Sequence, residues 1–140
     1  MPTGPFWDFV EGRVEPPPVA TLLGFELRAV DPEAMTIEVG FTARPEFTNP
    51  VGDVQGGMLC AMLDDTMGPA LVATLGPEEW APTVDLHVQF LAPARPGRLV
   101  GRGRVVRRAR TIAFLAGELS DADSRVVATG VATSSVRTQR

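Results

Sequence analysis

The chain has 140 residues, 44% of them hydrophobic, and a formal net charge of −4. That length holds one domain with a substantial core and is short for two. There is no lysine: all 13 basic residues are arginine, and seven of them fall between Arg95 and Arg110. An acidic chain with one arginine-rich segment lacks the footprint of a general nucleic-acid binder. No apolar run is long enough to span a bilayer, so no membrane association is expected. Cys60 is the single cysteine, which excludes an internal disulfide and makes a cytoplasmic setting the simplest expectation. The opening residues, MPTGPFWDFVEGRV, carry acids and lack a basic stretch followed by an apolar one, which does not fit a secretory signal.

In chain order, residues 5–13 suit a short amphipathic helix with Phe6, Phe9 and Val10 on one side. Pro16, Pro17 and Pro18 stop it, and residues 19–23 add a helical turn closed by Gly24. Residues 1–23 therefore read as a helical cap on a single domain spanning 1–140. Residues 25–30 and 34–43 alternate apolar and polar around a turn at Asp31 to Ala34, the pattern of a hairpin. A loop then leads into a long helix from about Gly56, ended by Gly76 and Pro77, with Pro69 expected to kink or widen it near Asp65. Four strands follow, at 83–91, 99–108, 111–119 and 126–136. In the first of these, Val84, Leu86, Val88 and Phe90 alternate with Thr83, Asp85, His87 and Gln89. Two strands, one long helix and four more strands argue an α+β class, an antiparallel sheet wrapped around one helix.

The stretch with chemical content is Thr48 to Gly76. Met58, Leu59, Met62, Leu63, Thr66, Ala70 and Leu71 recur at three and four, giving the helix one buried stripe. Asp64 and Asp65 interrupt that apolar run, and a carboxylate near a core is costly unless something pairs with it. At the other end, Gly56 and Gly57 place unshielded amides at the helix N-terminus, where free N–H groups favour developing negative charge. Asp64 follows Gly57 by two turns on the same face, so one substrate could meet an oxyanion-type donor and a carboxylate, a pairing suited to acyl transfer. The plainer reading of Gly56-Gly57 is a tight connection. Asp65 lies about 100° round the helix from Asp64. Both acids are thus not expected at one reacting group, and Asp65 is expected to pack on a partner chain or to bond Thr66.

One His and one Cys give neither a metal set nor a Cys–His dyad, and no metal is expected. Cys60 reads as a small core residue, as do Met58, Met62 and Met67. No Gly-rich loop of the Walker or dinucleotide type is present.

Asn49-Pro-Val-Gly-Asp-Val-Gln55-Gly-Gly followed by Leu63-Asp64-Asp65-Thr66 resembles the signature of hotdog-fold acyl-CoA thioesterases of the phenylacetate-pathway (PaaI-like) type. That signature has an Asn, then His-Gly-Gly, then an acid nine positions after the His. The ninth position after Gln55 is Asp64. The similarity continues through Thr83 to Gly97 and Arg110 to Phe114, covering roughly residues 20–137. The resemblance implies a hotdog fold and hydrolysis of an aromatic or medium-chain acyl-CoA, with coenzyme A as part of the substrate and no separate cofactor. It implies that Asp64 attacks the thioester or activates water, that Gly57 N–H and Asn49 polarise the carbonyl, and that Thr83 from a partner subunit places water. Gly56 with Arg107, Arg108, Arg110 and Thr111 would hold coenzyme A, the arginines at its phosphates. Their alternative is a solvated strand face. A homodimer with sites at the subunit interface, and often a homotetramer, is also implied. One departure stands out: the family His is Gln55, which keeps a donor and an acceptor but cannot titrate in this range. It gives weight to a rival reading, a non-catalytic acyl-CoA binding protein. A hotdog dehydratase or hydratase is a further rival, weakened by the missing His.

Overall fold

Two proline-led helices open the chain. In the computed structural model, which describes residues 2–139, α1 (Pro5–Val10) and α2 (Pro18–Leu23) each carry a proline in the first turn. There the missing N–H has no intrahelical partner to lose. Gly24 closes α2 in the left-handed conformation, φ 68°. The Trp7 indole donates to the Ala73 carbonyl at 3.1 Å, which ties this N-terminal cap to the far end of the long helix.

Strands β1 (Glu26–Asp31) and β2 (Thr36–Ala43) form the expected hairpin. The Asp31 side chain accepts the N–H groups of Glu33 and Ala34 and so closes the turn. A short 3₁₀ turn (Pro45–Phe47) and a loop lead into α3 (Gly56–Val72). The remaining elements are β3 (Glu79–Trp80), β4 (Thr83–Phe90), β5 (Gly97–Arg108), β6 (Ile112–Ser120), β7 (Val126–Ser135) and β8 (Arg137–Thr138). Six strands make one antiparallel sheet in the order β1-β2-β5-β6-β7-β4, and β3 pairs with β8 beside it. The sheet wraps around α3 as the α+β reading expects.

Glycines on the inner face of the sheet set how close the helix lies. A Cβ at Gly101 would meet the Thr66 hydroxyl, and one at Gly117 would meet Met67 at 2.8 Å. The helix answers with Met62, Leu63, Met67 and Leu71, all fully buried, against Phe41, Leu99, Leu115 and Leu119. Each such side chain contributes about 1.5–3 kcal/mol by leaving water.

Three details differ from expectation. The helix stops at Val72, not Gly76: beyond Pro69 the ladder tightens, with Thr74 N–H bonded to the Leu71 carbonyl and the Thr74 hydroxyl donating to the same oxygen. Pro69 sits inside one continuous α-helix, and its missing N–H leaves the Asp65 carbonyl without its usual donor. Strict alternation in β4 also fails. The register slips between Thr83 and Asp85, so Val84 bulges outward at 65% exposure and Thr83 pairs with buried Ser134. Thr83 thereby joins Leu86 on the helix side of the sheet.

Candidate active site

The bulge explains how Asp64 acquires a partner. With Thr83 turned inward, its hydroxyl donates to the Asp64 Oδ1 at 2.9 Å. This contact is made within one chain, so Thr83 needs no partner subunit to stand beside Asp64. Both residues line a cavity of about 340 Å³ between α3 and the N-terminal cap. Its walls are Phe6, Phe9 and Phe25 from the cap side, and Gly68, Pro69 and Val72 from the helix. The cap is therefore part of the candidate site.

Asp65 lines the same cavity. It does not bond Thr66, whose hydroxyl donates to the Met62 carbonyl at 2.8 Å, the ordinary satisfaction of a buried helical threonine. Both acids therefore line one cavity, because the cap folds over the face that carries Asp65. Burial, and after it the neighbouring charge of Asp64, raises the Asp65 carboxyl to about 7. Its Oδ2 is sealed from water and has no hydrogen-bond partner. The sequence signal was present in the doubled acid, but only the cap shows which of the two is desolvated.

The N-terminal end of α3 forms a second, separate cleft of about 370 Å³, lined by Asn49, Gly56, Leu59 and Phe90 among others. Gln55 is the N-cap residue and its side chain makes no capping bond. Its carbonyl already accepts from Met58 and Leu59, whereas no bond from the Gly56 or Gly57 N–H is found among the described residues. Gly57 has open space where a Cβ would be, while a Cβ at Gly56 would meet the Phe90 ring at 3.0 Å. Asn49 shapes the preceding loop: its Oδ1 accepts from the N–H groups of Val51 and Asp53, both at 3.1 Å. That leaves its amide NH₂ as the group able to donate to a ligand. Within one chain, then, Asn49 and Gly56 line one cavity, and Asp64, Asp65 and Thr83 line another.

The arginine segment divides. Arg95, Arg98, Arg102 and Arg108 pair with Asp53, Glu26, Glu38 and Glu79. Arg108 is held in a partly buried ion pair through one terminal nitrogen, and its Nε has no hydrogen-bond partner. Arg107, Arg110 and Thr111 are exposed at the β5–β6 hairpin and line neither cleft. The larger hollow of about 800 Å³ lies on the outer sheet face, and the ion pair of Glu38 with Arg102 sits in its lining. Burial pushes the Cys60 thiol above its ordinary range, away from nucleophilic use. Among the described residues no group of His, Cys, Asp and Glu is arranged to hold a metal, and no helix is long and apolar enough to cross a membrane.

The model of the thioesterase superfamily matches residues 51–128, which takes in the end of the loop after Asn49, α3, β3 to β6 and the start of β7. The chain belongs to the thioesterase superfamily. Among solved structures, it is similar to the phenylacetic acid degradation-related protein of Ralstonia eutropha JMP134, at 45% identity and TM-score 0.90, over 93% of this chain and 98% of that one. PaaI of Escherichia coli, from the phenylacetic acid degradation operon, superimposes with TM-score 0.84 over 96% of this chain and 94% of that one. At 18% identity that match speaks for the hotdog fold alone. Human acyl-coenzyme A thioesterase 13 is 30% identical over 89 residues, and the matched region spans 61% of either chain.

Proposed function

We propose that this member of the thioesterase superfamily hydrolyses acyl-CoA thioesters, with Asp64 as the reacting carboxylate. The observation that carries the reading is the Thr83–Asp64 hydrogen bond at the mouth of an aromatic-walled cavity. A carboxylate so placed can attack the thioester carbonyl or take a proton from water, and Thr83 can orient either the carboxylate or that water. The Gly57 N–H and the Asn49 amide are donors suited to the carbonyl oxygen, where negative charge develops.

Because the acid and the donors open into different cavities, the complete site is read as two half-sites from two chains. Strand β4 supplies a reason to dimerise. It is a sheet edge with β7 as its one neighbour, and it exposes Val84 and Phe90, with Leu91 just beyond. A second β4 along that edge would set Asp64 and Thr83 of one chain near Asn49 and Gly57 of the other. A tetramer would add the outer sheet face, where Phe114 and Val131 are exposed. Of the arginine set, Arg107 and Arg110, which make no ion pair among the described residues, are the ones read as meeting coenzyme A phosphates. The cavity under the cap would take the acyl group, and its size and aromatic walls suit an aromatic or medium-length chain. The lone, partly buried Cys60 fits a cytoplasmic setting.

The rival reading, a non-catalytic acyl-CoA binding protein, draws on Gln55. The test is thiol release from aromatic and aliphatic acyl-CoA esters by wild type and Asp64→Asn. Release that disappears in the variant, with coenzyme A binding kept, supports hydrolysis. A folded wild type that binds coenzyme A and releases no thiol from any ester sinks it in favour of binding.

A further inference from the structure

Asp65 has no part in the chemistry above, yet a carboxyl in its place is costly to keep. It lines the cavity read as the acyl site, among Phe6, Phe9, Phe25 and Pro69, and no arginine or hydrogen-bond donor answers it among the described residues. Its charged neighbour is Asp64, of like sign. Desolvation and that charge both favour the neutral acid. A neutral carboxyl has one O–H to donate. The sealed Oδ2 faces no acceptor, so a proton there would be unsatisfied. The proton belongs on the other oxygen, the one available to the cavity.

We propose that Asp65 is a specificity-determining residue that donates a hydrogen bond to an acceptor oxygen on the acyl group, so that the substrates are compact oxygenated acyl-CoA esters. This rests on the reading that the cavity under the cap receives the acyl chain. Asp64 and Asp65 are adjacent on the helix but about 100° apart around it. A chain with its carbonyl at Asp64 therefore meets Asp65 a few bonds further on, which places the acceptor (an ether or oxo oxygen) several atoms beyond the thioester. An apolar chain of the same length would leave the Asp65 O–H unpaired in a water-poor pocket, and sites with buried polar groups reject such analogues strongly.

The test uses non-hydrolysable ketone analogues of an eight-carbon acyl-CoA, with a methylene inserted between sulfur and carbonyl. In one the chain is plain, and in the others a single methylene at position 4, 5 or 6 is replaced by an ether oxygen. Calorimetric titration of the intact protein should show at least one ether analogue binding about tenfold tighter than the plain one. Asp65→Leu should bring that ratio to one or below, while Asp65→Asn, which keeps an N–H donor, should preserve it. A wild type that prefers the plain analogue at every position, or an unchanged ratio in Asp65→Leu, overturns the proposal. Thiol release from the matching thioesters separates the two readings. Binding with an Asp65-dependent oxygen preference but no hydrolysis would sink the hydrolase reading and leave this one standing. Hydrolysis without the preference would do the reverse, and failure of the folded protein to bind any analogue would sink both.

Discussion

The two ends of α3 solve different problems. At its N-terminus the active groups are backbone: the Gly56 and Gly57 amides are left unbonded by the geometry of any helix start, and Asn49 adds a side-chain amide from the loop. At its middle the active groups are carboxylates, whose positions and charges depend on what folds over them: Thr83 from a bulged edge strand and the aromatic residues of the N-terminal cap. One helix thus carries an oxyanion-type donor and an acid about 10 Å apart along its axis, from seven residues at 1.5 Å each. A carbonyl held by the first and attacked by the second spans less than that, with contacts of about 3 Å at either side. The separation of the two clefts is the structural form of this mismatch, and it is why the proposed site needs a second chain.

Mixing two inactive variants tests that division with the largest expected effect. Asp64→Asn and Asn49→Ala should each lower turnover by about a hundredfold to a thousandfold, the scale of losing a reacting group or an oxyanion donor. If the half-sites come from different chains, a mixed dimer carries both lesions in one site and none in the other. Unfolding and refolding the two together at equal amounts should then restore about a quarter of wild-type activity, since half of the dimers are mixed and each has one intact site. If donor and acid act within one chain, the mixture stays inactive.

Asp65 should show the cost of the capped end. Folding moves its carboxyl from the ordinary 3.8 to about 7, so between those values the native chain holds a proton that the unfolded chain has released. Its unfavourable contribution is absent below about pH 4, grows as pH rises to about 7, and is level above that. Asp65→Asn should therefore be more stable than wild type by on the order of 3 kcal/mol at pH 8, with the gain shrinking toward zero at pH 4. Denaturant titration at a series of pH values measures this. A gain independent of pH would mean that Asp65 is no more desolvated folded than unfolded.

How much of this was legible in the sequence follows the same division. The donor end was readable, because turn residues, Gly56-Gly57 and the start of a periodic run specify a helix N-terminus locally. The sheet and its hairpins were readable from alternation. Thr83 was placed on the wrong face by strict alternation, because a bulge needs only one residue and Val84 carries no signal that it is the extra one. The shared cavity of Asp64 and Asp65 was not readable either: it depends on α1 and α2 packing back across α3, fixed by a single indole bond from Trp7 to Ala73 and by aromatic contacts far apart in sequence. The ion pairs of Arg98, Arg102 and Arg108 were not readable for a related reason, since their acid partners Glu26, Glu38 and Glu79 lie on other elements.

The bulge itself can be broken. Deleting Val84 should restore one-to-one pairing and leave Thr83 on the face of Leu86, beside Asp64. Thr83→Ala removes the hydroxyl without moving the strand. It should lower kcat by roughly tenfold to a hundredfold, the range of one positioning hydrogen bond near the chemistry, while Thr83→Ser, which keeps the hydroxyl, should stay within about threefold of wild type. A folded Thr83→Ala variant with full activity would separate Thr83 from catalysis.

The smallest effect is expected at Gln55, and it sharpens the donor end. Its side chain makes no capping bond and is exposed, so exchange for the family histidine should leave stability unchanged within about 0.5 kcal/mol. The Gly57 amide is backbone and survives the exchange. What Gln55→His adds is a group that titrates near 6.5 beside the proposed thioester position. The rate should change by no more than about fivefold, and a new inflection should appear in the pH–rate profile near that value. An inflection would place the side chain at position 55 within reach of the reacting group, with Gln55 acting there as a fixed hydrogen-bond partner. A profile parallel to wild type would mean that polarisation of the carbonyl at this end of the helix belongs to the Gly57 N–H and Asn49 alone.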